Sequence, residues 1–172
     1  MAALFEETGR YIAMRFLVKP MDFPNAFMYG AGHGGVEAML LCGVASISNI
    51  ASAVMINSGT MSAQLASLDA EKAADTAAVL SALWTTPSLT FFAGGVERII
   101  AVVLHLSLSI LVFQSIRKKS RKDLLNAYLF HFVIDSLSVL LSAVASVWVV
   151  ELVVALVTGG AVLMAKYACM EE

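Results

Sequence analysis

From Pro87 to Ile116 the chain carries no charged or titratable side chain except Glu97, Arg98 and His105, and that run dictates the solvent it folds in. A helix rises about 1.5 Å per residue, so crossing a bilayer takes about 20 apolar residues. This run exceeds that length, and four more segments meet or approach it. They are Met1–Val18, stopped by Lys19-Pro20; Asn25–Ile56, ended by Asn57-Ser58-Gly59; Leu124–Ala143; and Val147–Tyr167. Backbone at bilayer depth has no water to bond, so such segments are helices. The pattern predicts an all-α polytopic transmembrane bundle. It has about five spanning helices in a single integral membrane domain over residues 1–172, with an interfacial helix in the 57–86 connection.

Composition excludes the soluble alternative. The chain is 59% hydrophobic and 14% charged, against roughly 25% charged residues in soluble domains. Cys42 and Cys169 lie in apolar surroundings without CxxC spacing and read as small packing residues. The first apolar run is broken by Glu6, Glu7 and Arg10 and does not read as a cleavable signal peptide. In the 57–86 connection, Asp69, Glu71, Lys72 and Asp75 precede Val79, Leu80, Leu83 and Trp84. That order suits an interfacial connector, or a lid over a site.

The basic residues set an orientation. If the five segments alternate, Arg15, Lys19, Arg117, Lys118, Lys119, Arg121, Lys122 and Lys166 share one face; these are eight of the eleven Lys and Arg residues. The positive-inside rule then makes that face, and the C-terminus, cytoplasmic in a bacterial inner membrane. The basic run at 117–122 reads as a topogenic loop, and no nucleic-acid partner is expected.

Against this apolar background the titratable residues stand out. His33, His105 and His131, with Glu6, Glu7, Glu37 and Asp135, all lie inside the hydrophobic segments. A charged group at bilayer depth costs about 2.5–3.5 kcal/mol on insertion scales, so these residues are functional candidates by default. Counted from the basic ends of their helices, Glu7, Glu37, His105 and Asp135 are each about 18–19 Å deep, and His33 and His131 about 12–13 Å. Four antiparallel segments thus bring their polar groups into one slab.

Local spacing suggests their pairings. Glu6 and Glu7 are about 100° apart on a helix, so one can face a substrate while the other pairs with Arg10. A buried carboxylate steadied by arginine can stay ionised and take a proton from water. His33 and Glu37 are i and i+4, as are His131 and Asp135, where the carboxylate can orient the imidazole. Gly30, Gly32, Gly34 and Gly35 make poor helix but permit close approach of a second helix or a bound peptide. Glu97-Arg98 reads as a structural pair near the interface opposite the basic face, and Glu151 as a helix-end charge. Two or three histidines with a carboxylate would suit catalytic zinc, with His33, His105 and His131 as candidate ligands. The same imidazoles could instead donate to an oxyanion while a glutamate activates water without metal.

Four motifs in order, Glu6-Glu7-Thr8-Gly9-Arg10, Gly32-His33-Gly34-Gly35-Val36-Glu37, Glu97-Arg98 with His105, and His131-Phe132-Val133-Ile134-Asp135, resemble the YhfC family of bacterial intramembrane peptidases. That family is similar to the PrsW proteases and the CAAX prenyl proteases. In the CAAX-type pattern the corresponding residues are Glu6-Glu7, Tyr29 to His33, and His131 to Asp135. The resemblance implies a glutamate base, Glu6 before Glu7, with His33, His131 and Asp135 holding the water or the oxyanion. His105 and Glu37 would complete the site, and Arg10 and Tyr29 would support it. Two departures accompany it. The arginine follows the glutamates at the PrsW-like spacing, one residue closer than in the CAAX proteases. Relatives generally carry helices upstream of the first motif, so the chain reads as a fragment or a minimal member.

The expectation is therefore an intramembrane peptidase, glutamic or metallo, acting on a membrane-embedded or lipid-associated peptide. Its rivals are a proton- or ion-coupled transporter and a non-catalytic scaffold built on the same helices.

Overall fold

The computed structural model describes residues 2–170, and among them there is helix and no strand. In chain order the helices are α1 (Ala2–Phe16), α2 (Phe23–Ala38), a π-helical turn (Met39–Gly43), α3 (Val44–Asn57), α4 (Thr60–Ala66), α5 (Ala70–Thr85), α6 (Ser88–Lys118), α7 (Arg121–Ser142) and α8 (Val147–Met170). Polar side chains mark the starts. The Asp22 carboxylate accepts from the Asn25 amide at 2.9 Å, the Asp69 carboxylate from the Lys72 amide at 2.9 Å, and the Ser120 hydroxyl from the Asp123 amide at 3.3 Å. Each satisfies a first-turn donor that has no partner within the helix. Gly59, at φ +76°, supplies the left-handed residue that turns α3 into α4.

The all-α polytopic class holds. Four helical stretches among the described residues are long and apolar enough to cross a membrane: 23–57, 88–118, 121–142 and 147–170. The fifth expected span is represented by α1, whose 15 described residues run about 22 Å. It carries Glu6, Glu7 and Arg10 in that short length. The 57–86 connection holds two helices, α4 and α5, where one was expected.

The chain divides into two compact units, residues 1–38 with 96–172 and residues 39–95. In the first, α6 is the central element. Its apolar window is 56% buried, against 17% in α7 and 22% in α8. Leu104, Leu108, Leu111 and Val112 of α6 form the core with Met14, Ile134 and Val154. One stripe of α8 faces inward: Glu151, Val154, Thr158, Ala161, Ala165 and Ala168. Its small residues let helices approach closely, the packing that works where lipid removes any hydrophobic drive between helices.

In the second unit, α3, α4 and α5 expose apolar side chains, including Ile47, Ile50, Val54 and Val79. Such faces suit a hydrocarbon solvent.

Candidate active site

The site is built on α1, α2, α7 and the part of α6 from Val96 onward, all within the first unit. Close approach of α2 to α6 creates it. A Cβ on Gly30 would lie 2.9 Å from the His105 carbonyl oxygen and 2.9 Å from Leu106 Cα; one on Gly34 would lie 3.0 Å from Val102 Cα. These two glycines, one turn apart, are therefore the seam against which α6 packs. Gly32 and Gly35 meet nothing within 4 Å, so only half of the glycine motif is explained by packing.

Arg10 organises the interior. It is fully buried, as is Glu7. Its Nη1 donates to the His105 carbonyl at 2.8 Å and to Ser109 Oγ at 2.6 Å; its Nη2 donates to His105 Nδ1 at 2.8 Å and pairs with Glu7 Oε1 at 3.1 Å. Glu7 Oε1 also accepts from His131 Nδ1 at 2.8 Å. One guanidinium thus ties α1 to α6, and one carboxylate ties α1 to α7. The pairing of Arg10 with Glu7 is the one expected from their spacing, which leaves Glu6 facing elsewhere.

Glu6 turns toward the imidazoles. Its Oε2 accepts from His33 Nε2 at 3.2 Å and lies 3.8 Å from His131 Nε2. His105 Nε2 lies 2.6 Å from Glu37 Oε2, and Glu37 Oε1 is 3.4 Å from Arg98 Nη1. Arg98 also pairs with Glu97. The three imidazole rings are contiguous, with centroids 4.7 Å apart for His33–His105 and 5.6 Å for His105–His131. Tyr29 flanks His33 at 6.1 Å. Asp135 is more peripheral, its Oδ1 3.7 Å from His131 Nε2. All the sequence-derived candidates are therefore brought to one place, with Asp135 at the rim.

Proton positions follow from these partners. Arginine only donates, so His105 Nδ1 accepts from Arg10 and its proton sits on Nε2, aimed at Glu37. A carboxylate only accepts when ionised, so His131 carries a proton on Nδ1 toward Glu7 and turns Nε2 toward Glu6.

Four of these side chains can offer donors to one divalent metal. Ligand atoms from Glu6, His33, Glu37 and His105 all lie within 4.8 Å of one another. Tetrahedral zinc at its usual bond lengths wants donors about 3.4 Å apart, and two imidazoles with two carboxylates are suitable chemistry. The residues fit zinc. Binding at His105 Nε2 would move the proton now given to Glu37 to Nδ1, in place of the bond that Nδ1 accepts from Arg10. His131 lies at the edge of this set and not within it.

Three features escaped the sequence reading. Arg98 does more than pair with Glu97, since it also reaches Glu37 of the cluster. Ser109 anchors Arg10. Glu151, read as a helix-end charge, is in fact buried at 7% exposure on the inward stripe of α8. Its spacing to Thr158, Ala161 and Ala165 is the signal that could have placed it there. Beside the cluster lies a cavity of about 380 Å³, lined among others by Glu37, His105, His131, Asp135 and Thr158.

Comparison with known proteins gives a concordant result. A family model described as YhfC intramembrane metalloprotease matches residues 1–154. An uncharacterized membrane protein YhfC of Bacillus subtilis (strain 168) is 38% identical over 160 residues, covering 91% of this chain and 61% of that protein. The chain thus spans less than two thirds of that relative's length. No solved structure matches it.

Proposed function

The chain belongs to the YhfC family, and from that premise we propose an intramembrane peptidase that hydrolyses a peptide bond of a membrane-embedded or lipid-associated substrate. The observation that carries this reading is the convergence of Glu6, His33, Glu37, His105 and His131 from four helices within an otherwise apolar bundle. In this proposal Glu6 is the base. Its carboxylate is half-buried and faces two imidazoles without being locked in the Arg10 pair, so it can take a proton from the attacking water. His131, oriented by Glu7, receives or returns a proton at Nε2. Arg10 positions His105 and does not touch substrate.

His33, Glu37 and His105 would hold zinc. When bound, the metal would supply Lewis-acid polarisation of the scissile carbonyl and a more acidic water. The basic ends at Arg15–Lys19 and Arg117–Lys122 support a bacterial inner-membrane placement with that face, and the C-terminus, cytoplasmic.

The test uses detergent-purified protein, a library of membrane peptides and metal analysis. Wild type is expected to cleave and to carry zinc. Glu6→Gln should lose about 10²–10⁴-fold in rate while remaining folded and retaining zinc, and His33→Ala should lose the metal. Cleavage that survives Glu6→Gln would remove Glu6 from the mechanism. A folded, zinc-loaded protein without peptide products would redirect the reading to ion-coupled transport.

A further inference from the structure

Hydrolysis consumes one water for each peptide bond, and the cluster lies among helices whose remaining surface is largely apolar. We infer that the first unit contains a water-filled vestibule leading from the cluster to the α7–α8 turn, with Glu151 and Thr158 as its buried water-binding groups. The purpose rests on the hydrolytic reading, but the geometry stands by itself.

Glu151 and Thr158 are 7% and 4% exposed, and Glu151 Oε2 and Thr158 Oγ1 have no hydrogen-bond partner among the described residues. A buried polar atom without a partner costs about 1–3 kcal/mol, so such atoms signal a partner from solvent or ligand. Both atoms belong to residues that border cavities. Thr158 borders the 380 Å³ cavity beside the cluster, and Glu151 borders a second cavity of about 290 Å³. The two cavities share Glu97, Ser138 and Val154, so they adjoin. Since one water occupies about 30 Å³ and seeks two to four polar partners, each cavity has room for several.

The sequence lays this route along one helix face. His131, Asp135, Ser138 and Ser142 recur every three or four residues on α7, a polar stripe about 17 Å long. Ser142 lies at the end of α7 remote from the Arg117–Lys122 run, and Ala145 and Val147 of the following turn line the outer cavity. The vestibule therefore opens on the face opposite the basic cluster. An apolar groove of this size would bind lipid or substrate side chains. One edged by Glu97, Ser138, Ser142 and Glu151 binds water.

Cysteine accessibility tests this without any need for catalysis. In a Cys42→Ala, Cys169→Ala background, Ser138→Cys, Ser142→Cys and the outward-facing Leu140→Cys are compared in sealed membrane vesicles of both orientations. The probe is a membrane-impermeant, thiol-reactive methanethiosulfonate. Thiolate forms only where water reaches, so Ser138→Cys and Ser142→Cys should label on the order of tenfold faster than Leu140→Cys, and from the face opposite the basic run. Glu151→Leu should slow labelling at Ser138→Cys, and Glu151→Gln, which still bonds water, should preserve it. Labelling of Ser138→Cys no faster than Leu140→Cys, or only from the basic face, would overturn the inference. So would labelling that ignores Glu151→Leu. An absence of peptidase activity would leave the labelling pattern unchanged, so the two readings fail separately.

Discussion

Two ion pairs with the same spacing show how differently the two units treat charge. Arg10 and Glu7 are three residues apart on α1 with both side chains fully buried; Lys72 and Asp69, also three apart, are 73% and 55% exposed at the start of α5. The buried pair has further partners on α6 and α7. The exposed pair has only its own helix. Sequence spacing makes either pair, but only tertiary contacts convert one into an organising centre. The lesson concerns solvent: a charge that water can reach is a local matter, whereas a charge in an apolar bundle must recruit neighbours.

The widest test of this contrast removes each cation. Arg10→Ala leaves Glu7 buried and unpaired and strips donors from His105 and Ser109, and is expected to cost about 3–5 kcal/mol. Lys72→Ala should leave global stability unchanged. Unfolding by denaturing detergent with a tertiary fluorescence probe measures both. Arg10→Lys is the sharper variant. It keeps the charge but not the planar fork that serves three partners, so it should recover only part of the loss. Equal effects of Arg10→Ala and Lys72→Ala would dissolve the comparison.

The glycines divide along similar lines. Gly30→Ala places a methyl 2.9 Å from backbone atoms of α6, which cannot swing aside. Overpacking of this kind costs about 1–3 kcal/mol and should also separate His33 from His105. Gly32→Ala points into open space and should be neutral or stabilising by up to about 1 kcal/mol, since alanine is the better helix former. The same unfolding measurement ranks them. A destabilising Gly32→Ala would mean that this face packs against something beyond the chain.

How much of this was legible beforehand depended on whether a feature is local. The Glu7–Arg10 pair and the approach of Asp135 to His131 follow from helix geometry, and similar depth placed the four segments' polar groups in one slab, whereas His33 and Glu37 share a helix face but bond Glu6 and His105 on other helices. Depth does not give rotation about the helix axis. Nothing in the spacing says that Arg10 reaches His105, or that Glu37 bonds His105 on α6 more closely than anything on its own helix. Boundaries shifted where charge misled: α7 begins at Arg121 because Ser120 caps it, although Arg121 and Lys122 read as loop. The π turn at Met39–Gly43 has no local signature beyond Gly43. Residue 151 shows the same limit, because a lone glutamate near a helix start looks exposed until the stripe it shares with Thr158 and Ala161 is traced.

Zinc binding should report the proton held on His105. If His105 Nε2 binds the metal, the neutral imidazole keeps its one proton by moving it to Nδ1, where Arg10 now donates, so zinc should cost the Arg10–His105 bond. Nitrogen-15 chemical shifts of the His105 ring, with and without zinc, read the tautomer. A proton that stays on Nε2 in zinc-loaded protein would place His105 outside the ligand set and leave it as the donor to Glu37 that Arg10 orients.

The smallest effect belongs to the exposed pair and completes the contrast. Asp69 caps α5 through the Lys72 amide at 2.9 Å and pairs with the Lys72 ammonium at 2.8 Å. Those two bonds hold the Asp69 carboxyl below its ordinary range. A carboxylate whose folded pKa is depressed stabilises the fold at pH above its unfolded value, and that contribution disappears as pH falls through the folded value. The first turn of α5 should therefore fray in acid while the rest of the helix persists. Amide hydrogen exchange at Lys72 and Ala73 would register it, rising as the carboxyl protonates. Asp69→Ala should show the same fast exchange at neutral pH, and Asp69→Ser, which still caps, should restore protection without the acid dependence. Because water solvates every group involved, the effect ends within that turn, whereas loss of the Glu7 carboxylate would be felt on three helices at once.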